Sequence, residues 1–84
     1  MNVVRKDQQE QRIVLELKTI RERTPAPDRV LPDGLEQAAR YADRSNASEV
    51  HLIVCDERPG RGWDERIYER AKRGGDWEIS VWGV

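Results

Sequence analysis

An α/β (α+β) fold, with a small mixed sheet of four to five strands and one main helix, is what this 84-residue sequence predicts. Three observations carry that expectation. Residues 12–18 (RIVLELK) alternate with the period of two of a strand. Residues 33–46 place apolar side chains at spacings of three and four, as an amphipathic helix does. Residues 49–56 (EVHLIVCD) are apolar nearly throughout, the mark of a strand covered on both faces. The expected order is β-β-α-β followed by a terminal hairpin.

Residues 1–6 (MNVVRK) form a short strand in this reading, and residues 7–11 (DQQEQ) a polar turn into the next strand. In that strand Ile13, Leu15 and Leu17 make the packed face, which leaves Glu16 and Lys18 together on the other. Residues 19–32 follow as a long connection with Pro25, Pro27 and Pro32, whose fixed φ keeps the chain extended. Its arginines, Arg21, Arg23 and Arg29, suit either a solvated loop or contacts to phosphates. The helix is expected to start at Asp33, an N-cap with Glu36 three residues on. Leu35, Ala38, Ala39 and Ala42 form its buried stripe, and Asn46 is a left-handed C-cap. Gln37 and Tyr41 lie one turn apart and away from that stripe.

The strand at 49–56, joined to the earlier one through the helix, makes a β-α-β unit with parallel strands. His51 and Cys55 read as packing residues, since neither has neighbours at metal-ligand spacing or an activating charge. Residues 57–62 (ERPGRG) form a turn-rich loop. Residues 66–73 suit a strand, turned by Gly74-Gly75-Asp76 into the alternating Trp77, Ile79 and Val81. Trp63, Ile67 and Ala71 also suit a helix, so this arm is ambiguous. Trp77 and Trp82 belong on opposite faces of the last strand.

Totals bound the function. One domain is the most that 84 residues allow, and its core is modest. Fifteen basic and sixteen acidic residues leave the net charge at −1, which argues against strong non-specific binding to a polyanion. The single cysteine excludes an internal disulfide framework and a cysteine-rich zinc site. No apolar run has the length of a signal peptide or membrane span, so no membrane partner and a cytoplasmic setting are expected.

A carboxylate and an ammonium two residues apart on one side of a strand can form the core of a metal-dependent phosphodiester site. On the strand alone, a half-exposed charge pair is the simpler explanation. The wider pattern changes this. Glu16-Leu17-Lys18 stands as an ExK motif at the end of an apolar strand, and Gln37 and Tyr41 stand as QxxxY on the next helix. A buried strand, then WDERIY and ISVWGV, follow. Over nearly the whole chain this resembles the C-terminal half of a PD-(D/E)XK nuclease-superfamily domain, of the kind found at the C-terminus of prokaryotic AAA-type ATPase-like proteins.

The resemblance implies a restriction-endonuclease-like half-fold, with residues 1–84 as a single truncated domain. It implies Glu16 as catalytic residue and metal ligand for Mg²⁺, and Lys18 as the group that positions water and neutralises phosphate charge. Gln37 and Tyr41 would touch the nucleic acid, joined by Arg21 and Arg23 from the loop. The chain departs from the family at its first aspartate, expected on the strand before ExK, where Met1 and Asn2 stand. Hence the expected function is a nuclease-like domain for metal-dependent hydrolysis of DNA, incomplete and inactive as this isolated chain. The alternative is a non-catalytic nucleic-acid-binding or assembly module attached to an ATPase region of a longer parent protein. A homodimer is also expected, because a leading strand that starts abruptly leaves an unpaired edge.

Overall fold

Three parallel strands form the middle of the sheet, and an antiparallel strand closes each side. The computed structural model describes residues 2–6 and 11–84, with side chains from Arg12 onward. Its strands are β1 (Asn2–Lys6), β2 (Gln11–Ile20), β3 (Glu49–Asp56), β4 (Tyr68–Gly74) and β5 (Trp77–Gly83), in the spatial order β1-β2-β3-β5-β4. A 3-10 turn (Pro27–Arg29) leads into the main helix α1 (Val30–Ser45), and a single helical turn α2 (Trp63–Arg66) precedes β4. The fold is the mixed α/β arrangement expected, with β1–β2 antiparallel, β2–β3 parallel across α1, and β4–β5 as the terminal hairpin. That hairpin adds through β5, which runs parallel to β3. Of the turn expected at residues 7–11, residues 7–10 lie outside the described residues, and Gln11 already belongs to β2.

Local chemistry accounts for most boundaries. Asn46 ends α1 with φ 54° and ψ 51°, its N–H bonded to the Ala42 carbonyl, a conformation asparagine tolerates. Gly75 turns the last hairpin at φ 57°, where a side chain would be strained. The start of α1 differs from expectation. It begins at Val30 rather than Asp33, and no side chain caps it. Pro32 therefore sits inside the first turn, where its missing N–H has no intrahelical partner to lose. Asp33 pairs with Arg29 one turn earlier, at 3.6 Å. The arm expected as strand at residues 66–73 is strand over Tyr68–Gly74, while Arg66 belongs with Trp63 to the single helical turn before it.

Among the described residues the core lies on one side of the sheet. Val14, Ile20, Val50, Leu52, Val54, Ile79 and Val81 meet Ala38, Ala39 and Ala42 of α1. Alanines there let the helix lie close to the strands. This reverses the expected faces of β2: Val14, Glu16 and Ile20 are buried, while Leu17 is 61 % exposed. It also corrects β3, whose His51, Ile53 and Cys55 stay half-buried opposite the helix rather than covered. Alternation marks two parities on a strand, but the attachment of the helix decides which parity goes inside. No helix of the described residues is long and apolar enough to cross a membrane.

Candidate phosphodiester site

β2 carries Glu16 and Lys18 onto the face covered by α1. Glu16 pairs in register with Leu52, and Lys18 with Val54, both core residues. Glu16 is only 6 % exposed, which is rare for a carboxylate. Its Oε1 stands 3.9 Å from Lys18 Nζ, longer than a hydrogen bond, and its buried Oε2 has no hydrogen-bond partner among the described residues. Burying a carboxylate this way costs free energy, because water that would solvate it is lost and little replaces it. Lys18 is less enclosed and runs its stem beneath α1. A Cβ on Gly34 would stand 3.3 Å from Lys18 Cγ and 3.0 Å from Leu52 Cδ1, so the glycine lets the helix pass close over this pair.

Two contacts fix how α1 runs over β2. Gly34 near its start lies over Lys18, and Ser45 at its end accepts a hydrogen bond from Arg12 Nη1 at 2.8 Å. Helix and strand are therefore antiparallel. With rises of about 1.5 Å and 3.3 Å per residue, Gln37 falls near the level of Glu16 and Tyr41 near that of Val14. Tyr41 is not remote from the buried stripe as expected; it packs against the core as a half-buried flank. The reason is angular. Tyr41 follows Ala38 by three residues, about 60° around the helix from it. Gln37 and Tyr41 line one cleft of about 300 Å³ together with Arg40 and Arg44. The Arg44 guanidinium lies 6.0 Å from the Tyr41 ring centroid, and Arg40 binds Glu36 at 2.7 Å.

Sequence reasoning missed Arg40 and Arg44. The signal was available, because residues 37, 40, 41 and 44 fall at helical spacings of three and four and share a face. Arg21 and Arg23 are not in this cleft. Arg21 sits past the end of β2 and pairs with Glu57 at 2.9 Å, while Arg23 is exposed in the following loop.

A second charged cluster closes the carboxyl end of β3. Asp56 accepts from Arg58 Nε at 2.9 Å and Nη2 at 2.7 Å, a two-pronged pair, and from the Arg58 backbone N–H at 3.1 Å. Arg61 lies 3.9 Å away. The Arg58 side-chain hydrogen bond, above all, holds the Asp56 carboxyl down at a pKa of about 2. Asp56 shares the parity of Glu16 but pairs with Ile20, so it stands four strand positions beyond Glu16's partner Leu52. That separation is about 13 Å, far more than one ion bridges at metal–oxygen distances near 2 Å.

The fit to Mg²⁺ follows from these positions. One buried carboxylate with a free oxygen is a suitable ligand, but Mg²⁺ binds through hard anionic oxygens and Lys18 opposes it. Among the described residues no group of three histidine, cysteine, aspartate or glutamate side chains stands together. The described residues do not make a Mg²⁺ site by themselves. No protein-family model, curated protein or solved structure is significantly similar to this chain.

Proposed function

We propose that this chain is the ExK-bearing part of a PD-(D/E)XK-type domain that acts on DNA phosphodiesters, and that it binds DNA without cleaving it unless another carboxylate joins Glu16. The observation that supports this reading most is the buried Glu16 oxygen with no partner beside Lys18. Sites that do chemistry hold groups in arrangements the fold alone would not favour. The cleft on α1 adds what a phosphate backbone needs: two guanidiniums, an amide and a phenol on one helix face. Lys18 can offset phosphate charge, and Glu16 can orient it or accept a proton. Chemistry that depends on Mg²⁺ requires oxygens beyond these.

The test pairs binding with cleavage. Fluorescence anisotropy with short duplex and single-stranded DNA at low salt is expected to show weak, salt-sensitive binding, reduced about 3- to 10-fold by Arg44→Ala. Supercoiled plasmid with Mg²⁺ or Mn²⁺ is expected to stay intact at the level of a Glu16→Ala control. Absence of binding, or binding indifferent to Arg44, would remove DNA from the reading. Metal-dependent nicking that Glu16→Ala abolishes would show that the chain completes its own site.

A further inference from the structure

The face of the sheet turned away from α1 plays no part in the site above, and none of the helices just described packs on it. We propose that this face is a two-fold interface between two copies of the chain. Its centre is a groove of about 440 Å³ lined by Ile13, Leu15, His51, Ile53, Trp82 and Val84. Leu17 continues the same row of β2 just past the groove and is 61 % exposed.

The chain as a whole exposes more surface than a compact monomer of its mass, by about as much as one side of a dimer interface covers. The chain exposes 6082 Å². A folded monomer of its 9.8 kDa mass is expected to expose about 5200 Å². The excess is about 900 Å², and one side of a standard stable interface is about 800 Å². The radius of gyration, 13.4 Å, likewise exceeds the roughly 12 Å of a compact chain of this length. Such a chain has the proportions of half an assembly.

The pattern on the face points to a second copy as the occupant. A protruding Leu17 beside an apolar groove is a knob next to a hole on one patch. A two-fold axis between them inserts each copy's Leu17 into the other's groove, which is the self-complementarity an isologous contact requires. Two sheets packed this way stand about 10 Å apart with side chains interleaved. The groove's polar atoms are already engaged. Trp82 Nε1 donates to His51 Nδ1 at 3.0 Å, with the two rings stacked, and His51 Nε2 faces Glu49 at 3.3 Å. Covering the groove with apolar side chains therefore strands no indole N–H. Pairing through the β4 edge is disfavoured by its exposed Glu69, Arg70, Lys72 and Arg73.

Sedimentation velocity and light scattering from about 1 to 200 μM test the proposal, a range set by the affinities such interfaces reach. The unmodified chain is expected to approach twice its monomer mass at the top of the range. Leu17→Glu and Val84→Glu are each expected to weaken the dimer at least about 100-fold, because the symmetry buries the new charge twice. Both side chains are exposed in the single chain, so the variants should keep its circular dichroism, which is checked alongside. Arg40→Glu on the opposite side, in α1, should leave the dimer unchanged. A chain that stays monomeric at 200 μM overturns the proposal. So does a dimer that survives both glutamates, or one that Arg40→Glu dissolves.

Discussion

The two faces of this sheet carry different kinds of residue, and the difference runs against simple hydrophobic sorting. The face under α1 is close-packed and includes Glu16, buried with one oxygen unpaired. The opposite face is nearly all apolar at its centre yet stands open, with Leu17, Trp82 and Val84 exposed. A fold built for stability alone would exchange these contents. On the two proposals above, the covered face tolerates a polar group for what it does, and the open face retains apolar groups for what they meet.

The largest test of that contrast compares two leucines. Leu52 is fully buried beneath α1, whereas Leu17 projects from the open side. Leu52→Ala is expected to destabilise the fold by about 3 kcal/mol, through lost burial and the cavity left behind. Leu17→Ala, measured where the chain is monomeric, should cost less than about 0.5 kcal/mol. Urea denaturation of both variants checks this, and similar costs would erase the distinction between the faces.

A smaller effect concerns the paired carboxylate of the covered face. Asp56 has a hydrogen-bonded guanidinium where Glu16 has only Lys18 at 3.9 Å, and its pKa is lowered from 3.8 to about 2, chiefly by the Arg58 hydrogen bond. A depressed folded-state pKa means the stabilisation is complete above the unfolded value and disappears as pH falls through the folded one. The stability difference between the natural chain and Asp56→Asn should be constant from about pH 7 to 5, shrink below about pH 4, and vanish near pH 2. Denaturant midpoints measured across that range give the curve. A difference that persists at pH 2 would mean the Arg58 pair acts through packing rather than charge.

Much of this architecture was legible in residues with a single local meaning. Asn46 ends the helix, Gly75-Asp76 turn the last hairpin, and the alternation of Trp77, Ile79 and Val81 sets Trp77 and Trp82 on opposite faces, as their bonds to Asp43 and His51 confirm. The inner face of β2 was not legible. Both parities hold apolar residues, and only the docking of α1 distinguishes Val14 and Glu16 from Ile13 and Leu15. The helix start was obscured by Pro32, a breaker in most positions but harmless in a first turn. Of the site, the one-turn spacing of Gln37 and Tyr41 was legible, whereas the placing of Glu16 and Lys18 on the helix-covered face was not, because the alternation was read with Ile13, Leu15 and Leu17 inside. The burial of Glu16 and the gathering of Arg40 and Arg44 into the cleft depend on how closely alanine and glycine let the helix approach, which is a tertiary property.

The central claim is that Glu16 is kept for chemistry at a cost to the fold, and Glu16→Met tests it most directly. Methionine has a similar length, fills the site flexibly and brings no charge to desolvate. Lys18, which is partly exposed, can then carry its ammonium to water. Urea denaturation at neutral pH should show the variant more stable by about 1 kcal/mol, with an unchanged dependence on denaturant. A loss of about 1 kcal/mol or more would contradict the claim, because it would make the Glu16–Lys18 pair a structural element of the sheet.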